Sequence, residues 1–105
     1  MGLFGSASTK QVDEFARNLA RELARQCPPQ GGAGGRPAVA PQKLVRTLEE
    51  LVRQAVGFRD QHKLGLYKKA RLGNTFRWEL KYLGYDKAFV EDVTQRVVVQ
   101  IARKA

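Results

Sequence analysis

Asp86-Lys87-Ala88-Phe89-Val90-Glu91-Asp92-Val93-Thr94-Gln95-Arg96-Val97-Val98-Val99-Gln100-Ile101-Ala102 is the stretch whose reading decides the fold class. Its valine-rich part, Arg96 to Ile101, has the composition of a strand. Against that, Asp86 is a favourable helix N-cap, and Phe89, Val90, Val93, Val97 and Ile101 recur at steps of three and four residues. The chain offers no second strand to pair with such a segment. It therefore reads as a helix (helix 4), and the protein as all-α. Val98, Val99 and Ala102 fall outside the main stripe, so helix 4 is apolar nearly all round and must be covered on more than one side. These three residues are candidate interface positions.

Working back from helix 4, Gly84 closes the element before it. Gly73-Asn74 reads as a turn, with Asn74 capping a short helix 3 from Thr75 to Leu83. Within it Phe76, Leu80 and Leu83 share one face, while Trp78, Tyr82 and Tyr85 are displaced from that face; in a small domain Trp78 and Tyr82 read first as packed under a neighbouring helix, and second as a stacking platform. Helix 2 starts after Pro41, a residue suited to a first turn, and carries Leu44, Val45, Leu48, Leu51, Val52, Ala55 and Val56 on a broad apolar face. Gly65 is either its end or a weak point tolerated before Leu66-Tyr67-Lys68-Lys69-Ala70-Arg71-Leu72.

Helix 1 begins at Ser8, because Ser8-Thr9-Lys10-Gln11 has the capping-box form. Val12, Phe15, Ala16, Leu19 and Leu23 give it one buried face, and it must stop before Pro28-Pro29. Residues 28–41 contain four glycines and four prolines, which reads as a linker reaching on the order of 20 Å. Helix 1 could thus fold onto its own chain or onto a neighbouring subunit. The expected organisation is a bundle of about four helices: a leader over 1–7, helix 1 over 8–27, the linker over 28–41 and a compact helical part over 42–105.

A chain of 105 residues, 43% of them hydrophobic and 28% charged, fits one folded domain with its own core. The single cysteine, Cys27, cannot form an internal disulfide, and no apolar run approaches the roughly 20 residues of a spanning helix. Nothing resembles a signal peptide, so the expected location is cytoplasmic. Met1-Gly2-Leu3-Phe4-Gly5-Ser6 matches the template for myristoylation of Gly2. That matters only in a eukaryotic cell, and the Ala/Arg/Gly/Val-rich usage reads as bacterial.

Catalytic chemistry has little to stand on. His62 and Cys27 lie on different segments and neither sits in a recognisable motif. Cys27 reads as a structural thiol at the end of helix 1, and His62 as a surface residue or helix-end cation. No second histidine or carboxylate set has metal-ligand spacing. Glu49-Glu50 and Glu91-Asp92 are adjacent pairs whose side chains diverge around a helix. The glycine pairs of the linker lack the Lys-Ser/Thr that follows a phosphate loop, and no strand precedes them. No enzyme activity, cofactor or metal is expected.

Charge is the informative feature. The formal net charge is +9, and more than half of that excess lies between Lys63 and Lys81. There Lys63, Lys68, Lys69, Arg71, Arg77 and Lys81 face one acid, Glu79. Tyr67, Phe76, Trp78, Tyr82 and Tyr85 are interleaved through and just beyond that region. Cations neutralise phosphates and aromatic faces stack on unpaired bases. The expected site for nucleic acid or a nucleoprotein is Lys63, Lys68, Lys69, Arg71, Arg77, Trp78, Lys81 and Tyr82. Leu72-Gly73-Asn74 followed by Thr75, Arg77, Trp78 and Lys81 also suggests a helix-turn-helix, although base-reading helices usually expose small polar residues rather than aromatics. The same charge would suit an acidic protein or an anionic membrane. The alternative function is a protein-interaction module, a homodimer or adaptor, using helix 4 and helix 1.

Overall fold

Four helices, α1 (Thr9–Gln26), α2 (Pro41–His62), α3 (Leu66–Tyr82) and α4 (Lys87–Ala102), make up a computed structural model that describes residues 7–29 and 35–103. The valine-rich run of α4 is helical throughout. α1 packs on α3, α3 on α4, α4 on α2 and α2 on α1, which closes a small all-α bundle. Gly2 and its myristoylation pattern lie outside the described residues.

Local chemistry sets the helix starts. Gln11 N–H donates to Ser8 Oγ at 3.1 Å, and Ser8 N–H donates to Gln11 Oε1 at 2.8 Å, the reciprocal capping box expected at the start of α1. Asp86 accepts from Phe89 N–H at 3.1 Å and starts α4. Pro41 is the first residue of α2. At the end of α1, Tyr85 Oη donates to the Cys27 carbonyl at 2.6 Å. The terminal carbonyls of a helix have no intrahelical donor, so this bond satisfies one of them inside the core. Burial holds the Tyr85 hydroxyl well above its ordinary pKa.

Helix 1 is not an appendage beside a compact 42–105. Val12, Ala16, Leu19, Ala20 and Leu23 of α1 lie in one core with Leu51 and Ala55 of α2, Leu72, Phe76 and Leu80 of α3, and Phe89, Val90, Val93, Val97 and Ile101 of α4. It packs in cis, most extensively against α3. Burying each large apolar side chain contributes about 1.5–3 kcal/mol, which is ample reason for the stripe to close on its own chain. Ala7, placed in the leader by sequence, is also buried.

The 28–41 segment is anchored at its described ends. Pro29 and Pro37 pair as an isolated antiparallel bridge, and the Gly35 carbonyl accepts from Asp86 N–H at 3.1 Å. Gly35 has φ +80°, and a Cβ there would sit 2.3 Å from the Gly84 oxygen. Only glycine fits against that turn.

The largest departure from expectation is the boundary between helices 2 and 3. α3 runs unbroken through Gly73-Asn74, whereas the turn at Lys63–Gly65 follows the first of the two readings of Gly65, the end of helix 2. Lys63 takes a left-handed conformation with φ 49°, and Leu64 N–H donates back to the Arg59 carbonyl at 3.0 Å. This is the bonding of a Schellman motif, with a lysine where glycine is usual. Gly73 is buried against α4, where a Cβ would meet Val98 Cγ2 at 2.6 Å. Its glycine serves close helix approach rather than a turn, so the 72–74 helix-turn-helix does not exist.

Arg59, only 6% exposed, fixes α2 to the end of α4. Its guanidinium donates to the carbonyls of Gln100 at 3.2 Å, Ile101 at 3.3 Å and Arg103 at 2.5 Å, and to Asp60 at 2.8 Å. The Ile101 carbonyl is one of the terminal acceptors of a helix that lacks a glycine cap, while that of Gln100 also accepts from Arg103 N–H at 3.3 Å. The Arg59 guanidinium beside Asp60 also holds that carboxyl below its usual range.

Candidate functional site

α3 has neighbours on two flanks, and its third side is open. Toward α1, Arg71 makes a two-pronged ion pair with Asp13, both bonds at 2.9 Å, Thr75 donates to Asp13 at 2.9 Å, and Glu79 accepts from Arg21 at 3.0 Å. Toward α4, Gly73 lies against Val98 and Arg77 donates to Glu91 at 2.7 Å. An α-helix turns about 100° per residue, which gathers Tyr67, Ala70, Asn74, Trp78, Lys81 and Tyr82 into the remaining sector. All six are exposed.

Three aromatic rings therefore stand in a row on one solvent face. Tyr82 is 83% exposed, Tyr67 64% and Trp78 54%. The Lys81 ammonium lies 4.6 Å from the Trp78 ring centroid and the Arg77 guanidinium carbon 5.7 Å from it. A cation over an exposed ring is worth about 0.5–1 kcal/mol, weak enough for an incoming ligand to displace. Leu66, at the start of the helix, is 85% exposed. Tyr85, by contrast, is buried and stacks on Phe89 with centroids 4.9 Å apart.

The sequence-derived site thus divides in two. Trp78, Lys81 and Tyr82 come together on the open face. Arg71 and Arg77 sit at its two rims, where each spends its charge on an inter-helix carboxylate. Arg71 also donates to Tyr67 Oη at 3.0 Å. The neighbouring Arg71 guanidinium lowers the Asp13 pKa, and Asp13 in turn raises that of Arg71. Lys63 precedes the helix at the left-handed turn. Lys68 and Lys69 belong to its first turn, about 100° and 200° around from Tyr67. No acidic residue stands in that turn and no side chain caps it. Lysines at a helix start oppose the macrodipole, and Asp60 near the end of α2 lies close enough to Lys69 to feel its charge.

Tyr67 is the functional candidate that sequence reasoning left out of the site. The signal is its spacing: Tyr67, Asn74, Trp78 and Tyr82 stand at i, i+7, i+11 and i+15, one helical face. A break at Gly73-Asn74 hides that register.

The candidate interface on α4 also divides. Val98 packs against Gly73 and is half-buried, whereas Ala102 is exposed and Val99 is 42% exposed. Val99 borders an open groove of ≈ 560 Å³ between α2 and α4, with Leu48 and Val52 as its other apolar lining. Helix 1 does not join it, because the apolar stripe of α1 is already spent on the core.

Cys27 is fully buried, with its Sγ 3.7 Å from Thr47 Oγ1. His62 ends α2 with its ring 4.5 Å from that of Phe58. Among the described residues no three His, Cys, Asp or Glu side chains are grouped so as to hold a metal, and no helix is long and apolar enough to cross a membrane. No family model, curated protein or solved structure matches the chain.

Proposed function

We propose that the protein is a non-enzymatic nucleic-acid-binding domain, engaging nucleic acid or a nucleoprotein through the open face of α3 and the lysines that begin it. The observation that carries this reading is the exposure of Trp78 and Tyr82 beside Lys81 and Arg77 on a single face. Exposed large rings gathered on one face suit a binding surface, and the Lys81 ammonium beside them favours an anionic partner. Lys63, Lys68, Lys69 and Lys81 are the phosphate contacts in this reading, while Arg71 and Arg77 chiefly hold the rims in place.

Salt dependence tests it. Four phosphate contacts imply a logarithmic slope of affinity on salt of about −3 for single strands. Lys81→Gln should flatten the slope by somewhat under one unit and leave the melting temperature unchanged. Arg71→Gln should lower the melting temperature and move the slope less. Binding that is absent at low salt, or indifferent to joint replacement of Lys63, Lys68, Lys69 and Lys81 by Gln, would overturn the proposal.

The α2/α4 groove favours a second reading, a protein-interaction module acting as a homodimer, with Val99, Leu48 and Val52 as the covered surface. In that case Val99→Lys should shift the mass measured by light scattering. An unchanged monomeric mass in both proteins removes this reading.

A further inference from the structure

We infer that the ligand of the α3 face is a single strand whose bases are pulled apart, with one base on Trp78 and the next on Tyr82; this deepens, and rests on, the nucleic-acid reading above. Trp78 and Tyr82 are four residues apart, so they stand about 6 Å apart along the helix axis. Neighbouring bases in a stacked strand are separated by about 3.4 Å. Two bases kept in their stack cannot place one face on each ring. An extended strand can, because its bases no longer cover one another.

The placement of charge agrees with this occupant. Lys81 Nζ rests 4.6 Å from the Trp78 centroid, over a ring that a base would need. A base arriving there displaces the ammonium, which then becomes available to the phosphate joining the two nucleotides. Asn74 stands one turn before Trp78 on the same exposed face, where its amide can meet a base edge in either hydrogen-bonding sense. Tyr67 lies eleven residues before Trp78, about 16 Å along the axis, so only a longer oligomer reaches it. A duplex offers none of this: its base faces are covered by their neighbours, and the grooves admit edges rather than rings. Aromatic stacking tolerates any base, so the face should show little sequence preference.

Trp78 is the only tryptophan, which makes its fluorescence a direct report on this face. The experiment titrates the full chain, at low salt, with deoxythymidine oligomers of increasing length and with a duplex at equal phosphate concentration. The single strand should quench the emission saturably, with affinity rising once more when the oligomer is long enough to reach Tyr67. The duplex should bind at least tenfold more weakly and leave the emission unquenched.

Polarisation of a labelled oligomer then reads Trp78→Ala and Tyr82→Ala, each expected to lose roughly tenfold in affinity with the salt slope unchanged. Trp78→Phe, which keeps a ring, should retain most of the affinity. Unaltered circular dichroism melts separate these losses from misfolding. If the duplex binds as tightly as the single strand and Trp78 stays unquenched, the stacking inference falls while the nucleic-acid reading survives. If neither nucleic acid binds at low salt, both fall.

Discussion

The two long faces of α3 carry comparable amounts of apolar side chain and have opposite surroundings. Leu72, Phe76 and Leu80 point inward and are fully buried. Tyr67, Trp78 and Tyr82 point outward with more than half of each side chain in water. Both sets are large, although Tyr and Trp carry a polar tip that Leu and Phe lack. What separates them is the position of α1 and α4, which cover two sectors of the helix and leave the third bare. An exposed aromatic row on a helix that already has a complete core is informative, since folding alone gives no reason for it.

The largest expected effect sets the two faces directly against each other. Phe76→Ala should cost about 3–5 kcal/mol of unfolding free energy, while Trp78→Ala should stay within about 0.5 kcal/mol, as surface substitutions usually do. Urea denaturation of both variants measures the difference. Equal losses would mean that the outer face is as structural as the inner one.

A smaller effect concerns the edge where α3 meets α4. Gly73→Ala gains about 1 kcal/mol in helix propensity, but the added methyl runs into stiff, β-branched Val98, and overpacking of this kind costs about 1–3 kcal/mol. The net expectation is a loss of about 1 kcal/mol, recovered when Val98→Ala is added. A double-mutant cycle reads that coupling; purely additive losses would contradict the close approach of the two helices.

The smallest effect is a dependence on pH at the opposite rim. The Arg71 guanidinium lowers the folded-state pKa of Asp13, below the roughly 3.9 of a free aspartate. The unfolded chain therefore takes up the proton first as pH falls. The stability contributed by the pair is complete above about pH 5 and is lost as the pH drops through 4 and below. Asp13→Asn should lower the melting temperature at pH 7 and show a shallower decline than the parent between pH 5 and 2. Parallel melting curves across that range would show that the Asp13 charge contributes nothing to the rim.

Much of this architecture is legible without coordinates, and the legible parts are those decided by near neighbours. Ser8 and Gln11 are three residues apart, as are Asp86 and Phe89, so the starts of α1 and α4 can be read from the order of residues alone. The spacing of Phe89, Val90, Val93, Val97 and Ile101 identifies the inner face of α4 for the same reason. Pro28 ends α1 through the geometry of the adjacent peptide.

Tertiary structure alone decided the rest. Gly73 looks like a turn, and only Val98, twenty-five positions away, shows that it is a point of helix contact. Lys63 shows no sign of a left-handed cap, because that conformation is imposed by how α2 and α3 must depart from each other. Arg71 and Arg77 look like free phosphate ligands until Asp13 and Glu91 are brought beside them. Trp78, Tyr82 and Tyr85 are alike in composition, yet the first two lie in water and the third holds the end of α1. The physical reason is common to all these cases: sequence order determines helix caps and periodicity through contacts within one turn, whereas burial and charge pairing depend on which distant helix occupies the neighbouring space.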